Sequence, residues 1–261
     1  MERISNTRLS HLAVYRLQKR CDEDGVFVVE GPKLCAEAFR SHFAVLAICA
    51  TNQYWEEMDA KGDLEHLEHL SAGGALYEVS QQQLERLSSM RSPNKVWMLL
   101  EREASASLRM PQDLVLALDG VQDPGNMGTM LRTADWFGIR SVVCSRDTVS
   151  CYNPKVVQAS MGAIFRTDVQ YADLAAYLKE AAKSGCSVYG AMLDGDDIRQ
   201  FVPQHPAVLV IGNEGNGISP EVARCITHRV TIPNVGGTAE SLNAASAAAI
   251  LCYQLSVKKV L

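Results

Sequence analysis

Four continuous apolar runs in the second half of the chain restrict the fold more than any other feature. Each run ends in loop residues, and helix-forming segments lie between the runs. Continuous apolar runs are typical of strands that are buried on both faces of a parallel sheet. The alternation of such strands with helices predicts an α/β layered fold. The predicted strands are 114–120, 141–145, 186–193 and 207–213, and the predicted helices are 127–138, 153–165 and 173–185.

The first half of the chain predicts a smaller α/β unit. Its helix at 32–40 carries Pro32 at the first helical position, where proline is favoured. The charged, small-residue stretch 101–113 is typical of a linker, so we predict domains at 1–105 and 106–261. The other predicted elements are a basic helix at about 6–20, strands at 26–31, 45–50, 75–79 and 96–101, and a helix at 81–89.

Composition excludes several classes of protein. The 261 residues include 47% hydrophobic and 21% charged residues, which is ordinary for a globular protein. No apolar run reaches the ~18–20 residues that span a bilayer, so we expect no membrane partner. The eight cysteines form no CxxC pair and read as buried thiols in a reducing cytoplasm. Only His66 and His69 have helical ligand-like spacing, and without a third ligand they predict no metal site.

Charge is unevenly distributed along the chain. The formal net charge is −5, but the first twenty residues carry five basic residues against one acid. A mitochondrial presequence is one interpretation of this segment. We favour a basic surface helix that belongs to the fold. Binding to nucleic acid depends on where basic residues cluster more than on net charge, so RNA stays open as a partner.

Loop one, DGVQDPGNMGTMLRTADWFG (119–138), follows the first strand of the second half. Asn126 is expected to cap the helix that follows. Gly125 and Gly128 allow another group to approach closely. Arg132 falls on the first turns of the helix. A capped helix with a solvent-facing arginine is the alternative interpretation.

Loop two, VLVIGNEGNGIS (208–219), places three glycines directly after a buried strand. Its spacing is neither G-x-G-x-x-G nor a Walker A loop. Glu214 in its middle would repel phosphate, so a neutral or cationic ligand fits better. The alternative is a sharp turn in which Glu214 caps the next helix.

Loop three, IPNVGGTAESLNAAS (232–246), ends in an unusual helix. Ser241 and Asn243 are expected to open this helix directly behind a glycine pair. Residues 244–249 are all alanine or serine, whereas an amphipathic helix ordinarily presents large apolar residues to the core.

The order of these motifs resembles a known family. N-x-G-x-x-x-R-T-A, then G-N-E-G-x-G-I-S, then I-P…E-S-L-N-A-A is similar to the three signature motifs of the SpoU/TrmH family. These are SPOUT-class, S-adenosylmethionine-dependent RNA ribose 2′-O-methyltransferases. The resemblance covers the second half, including NPKVVQASMGAIF. In the first half, FVVEGPKLCAEAF resembles part of the RNA-binding domain that many members carry.

The resemblance implies a fold and an assembly. The second domain would be an open sheet whose C-terminal segment passes through a loop to form a deep trefoil knot. The first would be a small α/β RNA-binding domain that resembles a ribosomal protein fold. Small residues at 244–249 would keep the threaded segment slim. They would also let helices approach closely in a homodimer.

The resemblance also implies a site for S-adenosylmethionine and a catalytic group. Arg132 is the family's catalytic arginine, and it is either the general base or an anchor that binds phosphate and stabilises the developing alkoxide. We favour the second role, because a guanidinium with a pKa above ~12 is a poor base. The implied catalytic residues are Asn126, Arg132, Glu214, Ser241 and Asn243. The implied cofactor-binding residues are Ala191, Met192, Ile211, Gly212, Gly217, Ile232 and Leu242.

Several alternatives stay open at this point. A knotted RNA-binding protein without activity and a base-methylating SPOUT enzyme are the rivals, and the RNA is either ribosomal or transfer RNA. Between Ile232 and Ser241 the chain has one residue more than the compact family pattern, and Asn234 replaces the usual methionine. We therefore expect loop three to bulge.

Overall fold

The computed structural model of the chain describes residues 1–63, 75–103 and 108–256. The chain divides into two compact units, and a short segment from the second half groups with the first. The first unit comprises Met1–Ala104 and Tyr152–Gln158, and the second comprises Ser105–Cys151 and Ala159–Leu261.

The first unit is an α/β unit built on a mixed sheet. Its strands are β1 (Glu2–Arg3), β2 (Val26–Glu30), β3 (Val45–Ala50), β4 (Ala75–Glu78) and β5 (Val96–Glu101), and its helices are α1 (Asn6–Ala13), α2 (Gln18–Glu23), α3 (Pro32–Phe39), α4 (Asn52–Ala60) and α5 (Gln81–Leu87). Within the described residues the strand order is β1-β4-β3-β5-β2, and β5 runs antiparallel to β2 and β3. The predicted strands of this half are confirmed, whereas β1 and α4 were not expected.

The prediction of one basic helix at 6–20 is wrong. A 3-10 turn at Val14–Arg16 and an extended Leu17 separate α1 from α2. A continuous helix with Leu9 and Leu12 on its core face would bring Arg16 and Arg20 to that face one and two turns later. The break instead buries the Cys21 side chain in the same core as Leu9 and Leu12.

The second unit contains a parallel sheet, as predicted. Its strands are β6 (Leu114–Leu118), β7 (Ser141–Ser145), β8 (Asp168–Ala172), β9 (Ser187–Asp197), β10 (Ala207–Ile211) and β11 (His228–Thr231). The helices of the second half are α6 (Pro124–Trp136), α7 (Pro154–Ser160, which begins in the first unit), α8 (Leu174–Lys183), α9 (Pro220–Ala223) and α10 (Ala244–Ser256). Within the described residues the order is β11-β9-β10-β6-β7-β8, with every pair parallel.

Two parts of this half differ from the sequence prediction. The strands β8 and β11 were not expected, because both lie at the edges of the sheet and only two residues of β8 and one of β11 are buried. The predicted helix 153–165 ends at Ser160, since Met161 and Gly162 both have a positive φ. A 3-10 turn at Ala163–Phe165 follows.

Alternation along the strands divides the second unit into layers. In β6, Val115 and Ala117 pack in the cluster that includes α8 and α9 residues, and Leu116 and Leu118 therefore point to the other face. The carboxyl ends of parallel strands lie at one edge of a sheet, which is where ligands bind in such folds. Loops one, two and three follow β6, β10 and β11, so all three meet at this edge.

The eight cysteines are buried free thiols, as predicted. His66 and His69 lie outside the described residues. Within those residues, every helix is too short or too polar to cross a bilayer.

Candidate active site

A cavity of about 240 Å³ lies where the three loops meet at the carboxyl edge of the sheet. Its volume is slightly below the ~300–1,000 Å³ typical of small-molecule sites. Every residue implied to bind the cofactor lines this cavity: Ala191, Met192, Ile211, Gly212, Gly217, Ile232 and Leu242. Glu214 and Ser241, from the implied catalytic group, line it as well.

Sequence reasoning missed part of the cavity wall. Ala244, Ala247 and Leu251 also line it, and they follow the i, i+3, i+7 spacing of one helix face. That spacing was visible in the alanine-rich helix and could have identified the wall. The small side chains of Ala244 and Ala247 leave space that a larger residue would fill. Their place in the cavity wall adds a reason for small residues at these two positions.

Loop two is folded tightly upon itself. A Cβ atom on Gly212 would collide with the backbone of Gly217, so Gly212 is needed for a close approach within the loop. Gly217 has a φ of +67°, and its backbone exchanges two hydrogen bonds of 2.9 Å with Asn213. The Asn213 side chain accepts hydrogen bonds from Gly215 and Asn216 and donates one of 2.7 Å to the carbonyl of Gly120. These hydrogen bonds hold the backbone of loop two, which forms part of the cavity lining.

Glu214 joins loop two to loop one. Its carboxylate accepts hydrogen bonds from the backbone of Gln122 and Asp123, both at 3.2 Å, and from Nδ2 of Asn126 at 3.0 Å. Partial burial by itself would raise the pKa of Glu214, but these hydrogen bonds outweigh it and lower that pKa below its ordinary value. The carboxylate is therefore anionic at neutral pH.

The alternative in which Glu214 caps the next helix is wrong. Ser219 caps α9, with Oγ accepting from Val222 at 3.4 Å. The backbone N–H of Ser219 in turn donates to the buried carboxylate of Asp119 at 2.7 Å. The Glu214 carboxylate accepts its hydrogen bonds from loop one instead.

The expectation that Asn126 caps α6 is also wrong. Asp123 is the cap, and its carboxylate accepts from the backbone of Asn126 at 2.8 Å. The Asn126 side chain bridges the loops instead, since Nδ2 donates to Glu214 and Oδ1 accepts from Nδ2 of Asn243 at 2.9 Å. Asn243 caps α10, with Oδ1 accepting from Ala245 and Ser246.

This arrangement fixes the direction of the hydrogen-bond chain. Because Oδ1 of Asn243 is occupied by the backbone of α10, the amide of Asn243 must donate to Asn126. Oδ1 of Asn126 is then the acceptor, and the Asn126 amide donates to Glu214. Each side chain in the chain Glu214–Asn126–Asn243 is held in one orientation.

Arg132 stands apart from these contacts. It lies on α6, and its side chain is exposed. Within residues 1–63, 75–103 and 108–256 its guanidinium forms no hydrogen bond or ion pair. The structure therefore brings together Asn126, Glu214 and Asn243, and leaves the Arg132 guanidinium available for an external anion.

Asn234 organises the longer loop three. Its Oδ1 accepts from the backbone of Gly236 at 2.9 Å and of Gly237 at 2.7 Å, and its Nδ2 donates to the carbonyls of Gly237 and Ala239. This local turn lies between Ile232 and Leu242, and both of those residues still line the cavity.

The cavity suits S-adenosylmethionine in its chemistry. Apolar side chains such as Ile211 and Leu251 give a surface for a flat base. Within the described residues the backbone groups of Gly212, Ile232 and Leu242 form no hydrogen bonds with one another or with other residues, so they are available to polar ligand atoms. The anionic Glu214 lies on the wall, where it would attract a sulfonium.

Comparison with known proteins settles the family. The family model described as SpoU rRNA Methylase family matches residues 113–253. The chain belongs to this family. A second model, the MRM3-like substrate binding domain, matches residues 6–97 of this SpoU family member.

Full-length relatives support the assignment. The chain is 31% identical to the 23S rRNA (guanosine(2553)-2′-O)-methyltransferase RlmP of Bacillus subtilis, over 98% of each chain. A TrmH-family RNA methyltransferase structure from Porphyromonas gingivalis has a TM-score of 0.83 and 37% identity, covering 97% of this chain and 98% of that one. The AdoMet-bound rRNA methyltransferase of Sinorhizobium meliloti has a TM-score of 0.84 and 26% identity, covering 98% and 96%.

Proposed function

We propose that this SpoU family member transfers a methyl group from S-adenosylmethionine to a ribose 2′-hydroxyl of RNA. The observation that carries the proposal is the chain Glu214–Asn126–Asn243, which joins all three family loops around the cavity. A binding protein without activity would not require three polar side chains of fixed direction beside a cofactor cavity. The family assignment favours ribose methylation over the rival of base methylation.

One group of residues binds the cofactor in the proposed reaction. The cofactor, when bound, supplies an activated methyl group on a sulfonium. The cavity walls and the free backbone groups of Gly212, Ile232 and Leu242 hold it, and Glu214 complements its positive charge. Holding two reactants in line can supply roughly 7–11 kcal/mol of a barrier.

The hydroxyl that receives the methyl group must lose its proton, and we assign solvent water as the acceptor of that proton, because Glu214, Ser241 and Asn243 are all exposed. Glu214 is a poor base, because its carboxylate is occupied by three donors and its pKa is lowered. We assign Asn126 and Asn243 to orienting the ribose, and we assign the same task to Ser241, which lines the cavity. Arg132 binds the neighbouring phosphate and stabilises the developing alkoxide, because its guanidinium is exposed and always charged.

Ribosomal RNA is the proposed substrate. The Bacillus subtilis relative, which matches along nearly its whole length, is named as a 23S rRNA guanosine 2′-O-methyltransferase. The test is transfer of tritium from labelled S-adenosylmethionine to a 23S rRNA transcript, with a tRNA transcript in parallel, followed by identification of the product nucleoside. A labelled 2′-O-methylguanosine from the 23S transcript is the expected product. A base-methylated product, or no label with a cofactor-binding protein, would contradict the proposal.

We also propose that the protein is a homodimer and is located in the cytoplasm. Helices α6 and α10 pack together and present Trp136, which is 84% exposed, and Tyr253, which is 60% exposed. Tyr253 contacts Phe137 with ring centroids 6.1 Å apart, and Ile250 extends the apolar surface. Exposed large apolar side chains on two packed helices are typical of an interface, and a second copy is the proposed occupant. The buried free thiols are compatible with a reducing compartment.

A further inference from the structure

The first unit contains a buried carboxylate that the proposed reaction does not use. Glu30, the last residue of β2, is only 4% exposed. Its carboxylate accepts hydrogen bonds from the hydroxyl of Ser88, from the backbone of Ser89 at 3.1 Å and from the hydroxyl of Ser89 at 3.2 Å. Ser88 is buried as well.

Burying a carboxylate is costly unless it is well bonded. An apolar residue at this position would bury itself without that cost, so the Glu30 hydrogen bonds serve a purpose other than filling the core. Their effect is to hold Ser88 and Ser89, the first two residues of the segment SSMRSPNK (88–95), which joins α5 to β5. The backbone of Gly31 also donates to the carbonyl of Val96 at 2.9 Å. The start of α3 and the segment 88–95 are therefore neighbours.

Each of the two joined segments carries an exposed cation without an ion pair in the described residues. Lys33 lies three residues after Glu30, and Arg91 lies two residues after Ser89. Both side chains are exposed, and neither forms an ion pair or hydrogen bond within the part of the chain that the structure describes. The segment 88–95 contains no acidic residue, and Ser92 and Asn94 add exposed polar groups.

The basic N-terminal cluster is a weaker candidate for binding an anion. Four of its five cations contact a partner within the unit, and Arg3 and Lys19 stay largely exposed in doing so. Arg3 pairs with Glu78, Arg8 donates to the hydroxyl of Tyr77, and both Lys19 and Arg20 pair with Glu23. Of the five basic residues among the first twenty, only Arg16 has no such partner in the described residues.

We propose that Lys33 and Arg91 bind backbone phosphates of the RNA substrate and that Glu30 is the positioning residue that holds their two segments together. This site rests on the proposed function, since it assumes that RNA is the substrate. It assigns the RNA-binding surface of the first unit to the start of α3 and the segment 88–95. Phosphate contacts of this kind supply affinity and register without reading sequence.

The test uses the full-length chain and the 23S rRNA transcript. The double variant Lys33→Ala/Arg91→Ala should weaken binding of the transcript roughly tenfold, as expected when two phosphate contacts are lost. The slope of log affinity against log salt should decrease by about two. Affinity for S-adenosylmethionine and kcat at saturating RNA should stay at wild-type values. The KM for RNA should rise, because only RNA binding is weakened. Arg16→Ala removes one exposed charge from the same unit, so it is the matched control for the single variants Lys33→Ala and Arg91→Ala, each of which should weaken binding more than Arg16→Ala does.

A second pair of variants isolates the role of Glu30. Glu30→Gln should raise KM for RNA in the wild-type background, because an amide cannot accept from all the donors that meet the carboxylate. In the Lys33→Ala/Arg91→Ala background the same substitution should have no further effect on RNA affinity. A purely structural role would lower the melting temperature in both backgrounds and change RNA affinity equally in both. Ser89→Ala, which removes one donor from the surface, should act in the same direction as Glu30→Gln.

The outcomes separate this site from the proposed function. If the wild-type chain methylates the transcript but the double variant binds it with unchanged affinity and salt slope, the site is overturned and the function stands. Equal weakening by Arg16→Ala would also overturn it. If the wild-type chain neither binds nor methylates RNA, the proposed function fails, and this site fails with it.

Discussion

Nδ2 of Asn243 donates a hydrogen bond of 2.9 Å to Oδ1 of Asn126, across 117 residues of sequence. Asn243 begins the last helix, and Asn126 lies in the first turn of α6. Their contact links loop three to loop one, and Glu214 continues the link into loop two. The geometry of the proposed reacting site therefore depends on contacts between segments that are distant in the chain.

Asn126→Asp should be more harmful than Asn126→Ala near neutral pH. The new carboxylate would face Glu214, whose Oε1 lies 3.0 Å from Nδ2 in the native protein, and two adjacent carboxylates repel each other unless they share a proton. We expect kcat/KM to fall at least ~10-fold, or about 1.4 kcal/mol. Activity of the Asp variant should partly recover as the pH is lowered, and that of the Ala variant should not. Wild-type activity of Asn126→Asp at neutral pH would contradict the assigned role.

Arg132→Ala should lower kcat by ~10²-fold or more, the scale seen when one electrostatic donor is removed from a transition state. Affinity for S-adenosylmethionine, measured by calorimetry, should be unchanged because Arg132 does not line the cavity. Arg132→Lys distinguishes a general base from an anchor that binds phosphate and stabilises the alkoxide. Lysine keeps the charge but loses the planar fork, so we expect it to be nearly as inactive as alanine at every pH. Robust activity of the lysine variant with a shifted pH optimum would instead identify a general base. Arg140→Ala, also an exposed arginine, is the control.

Ala247→Leu should block the cofactor. Ala247 lines the cavity of about 240 Å³, and a larger side chain there would occupy the space of the ligand. We expect affinity for S-adenosylmethionine to fall ~10-fold or more, since overpacking a filled site costs about 1–3 kcal/mol. Ala249→Leu makes the same change on the same helix at a position that does not line the cavity. Equal cofactor affinity of the two variants would show that the ligand binds elsewhere.

The carboxylate of Glu214 should make the free energy of unfolding decrease as the pH falls. The pKa of Glu214 is lower in the folded protein than the value of about 4.5 in the unfolded chain. The ionised carboxylate therefore stabilises the fold when the pH is above about 4.5, and this contribution is lost as the pH falls through the folded pKa. Glu214→Gln should therefore reduce the free energy of unfolding at neutral pH, and the difference from wild type should shrink below about pH 4.5. The effect should be small, because the side chain is exposed and solvent screens it. Denaturant titration across pH measures it, and a difference that grows with acidity would refute this account.

Trp136→Glu should dissociate the proposed dimer. A charge in the centre of an apolar interface is strongly unfavourable when it is left unpaired. Sedimentation velocity should show a dimer for the wild-type chain and a monomer for the variant at the same concentration. Val202→Glu, at another exposed apolar position of the second unit, should remain dimeric. A monomeric wild-type chain would contradict the assembly, and the trefoil knot stays a separate prediction.

Sequence patterns predicted the central strands well and the edges poorly. Strands β6, β7 and β10 are buried on both faces, so nearly all their residues are apolar and the runs are visible. Strand β11 has one buried residue and β8 has two, which leaves too little apolar pattern to recognise. The cap of α6 was wrong for a related reason. Asp123 and Asn126 are both good capping residues, and the choice between them depends on Glu214, which lies 88 residues away from Asn126.

The sequence by itself determined the alternation of strands and helices, the order of the three loops and the family to which the chain belongs. These follow from patterns that are local in the chain, because burial on a strand and the motif in a loop each involve neighbouring residues. Only the tertiary structure decided what the polar side chains contact and which residues of the last helix line the cavity. The amide of Asn126 meets Asn243 and Glu214, and Ala244 and Ala247 face the cavity. Contacts of this kind depend on how distant segments pack at one edge of the sheet, and that packing is set by the whole core.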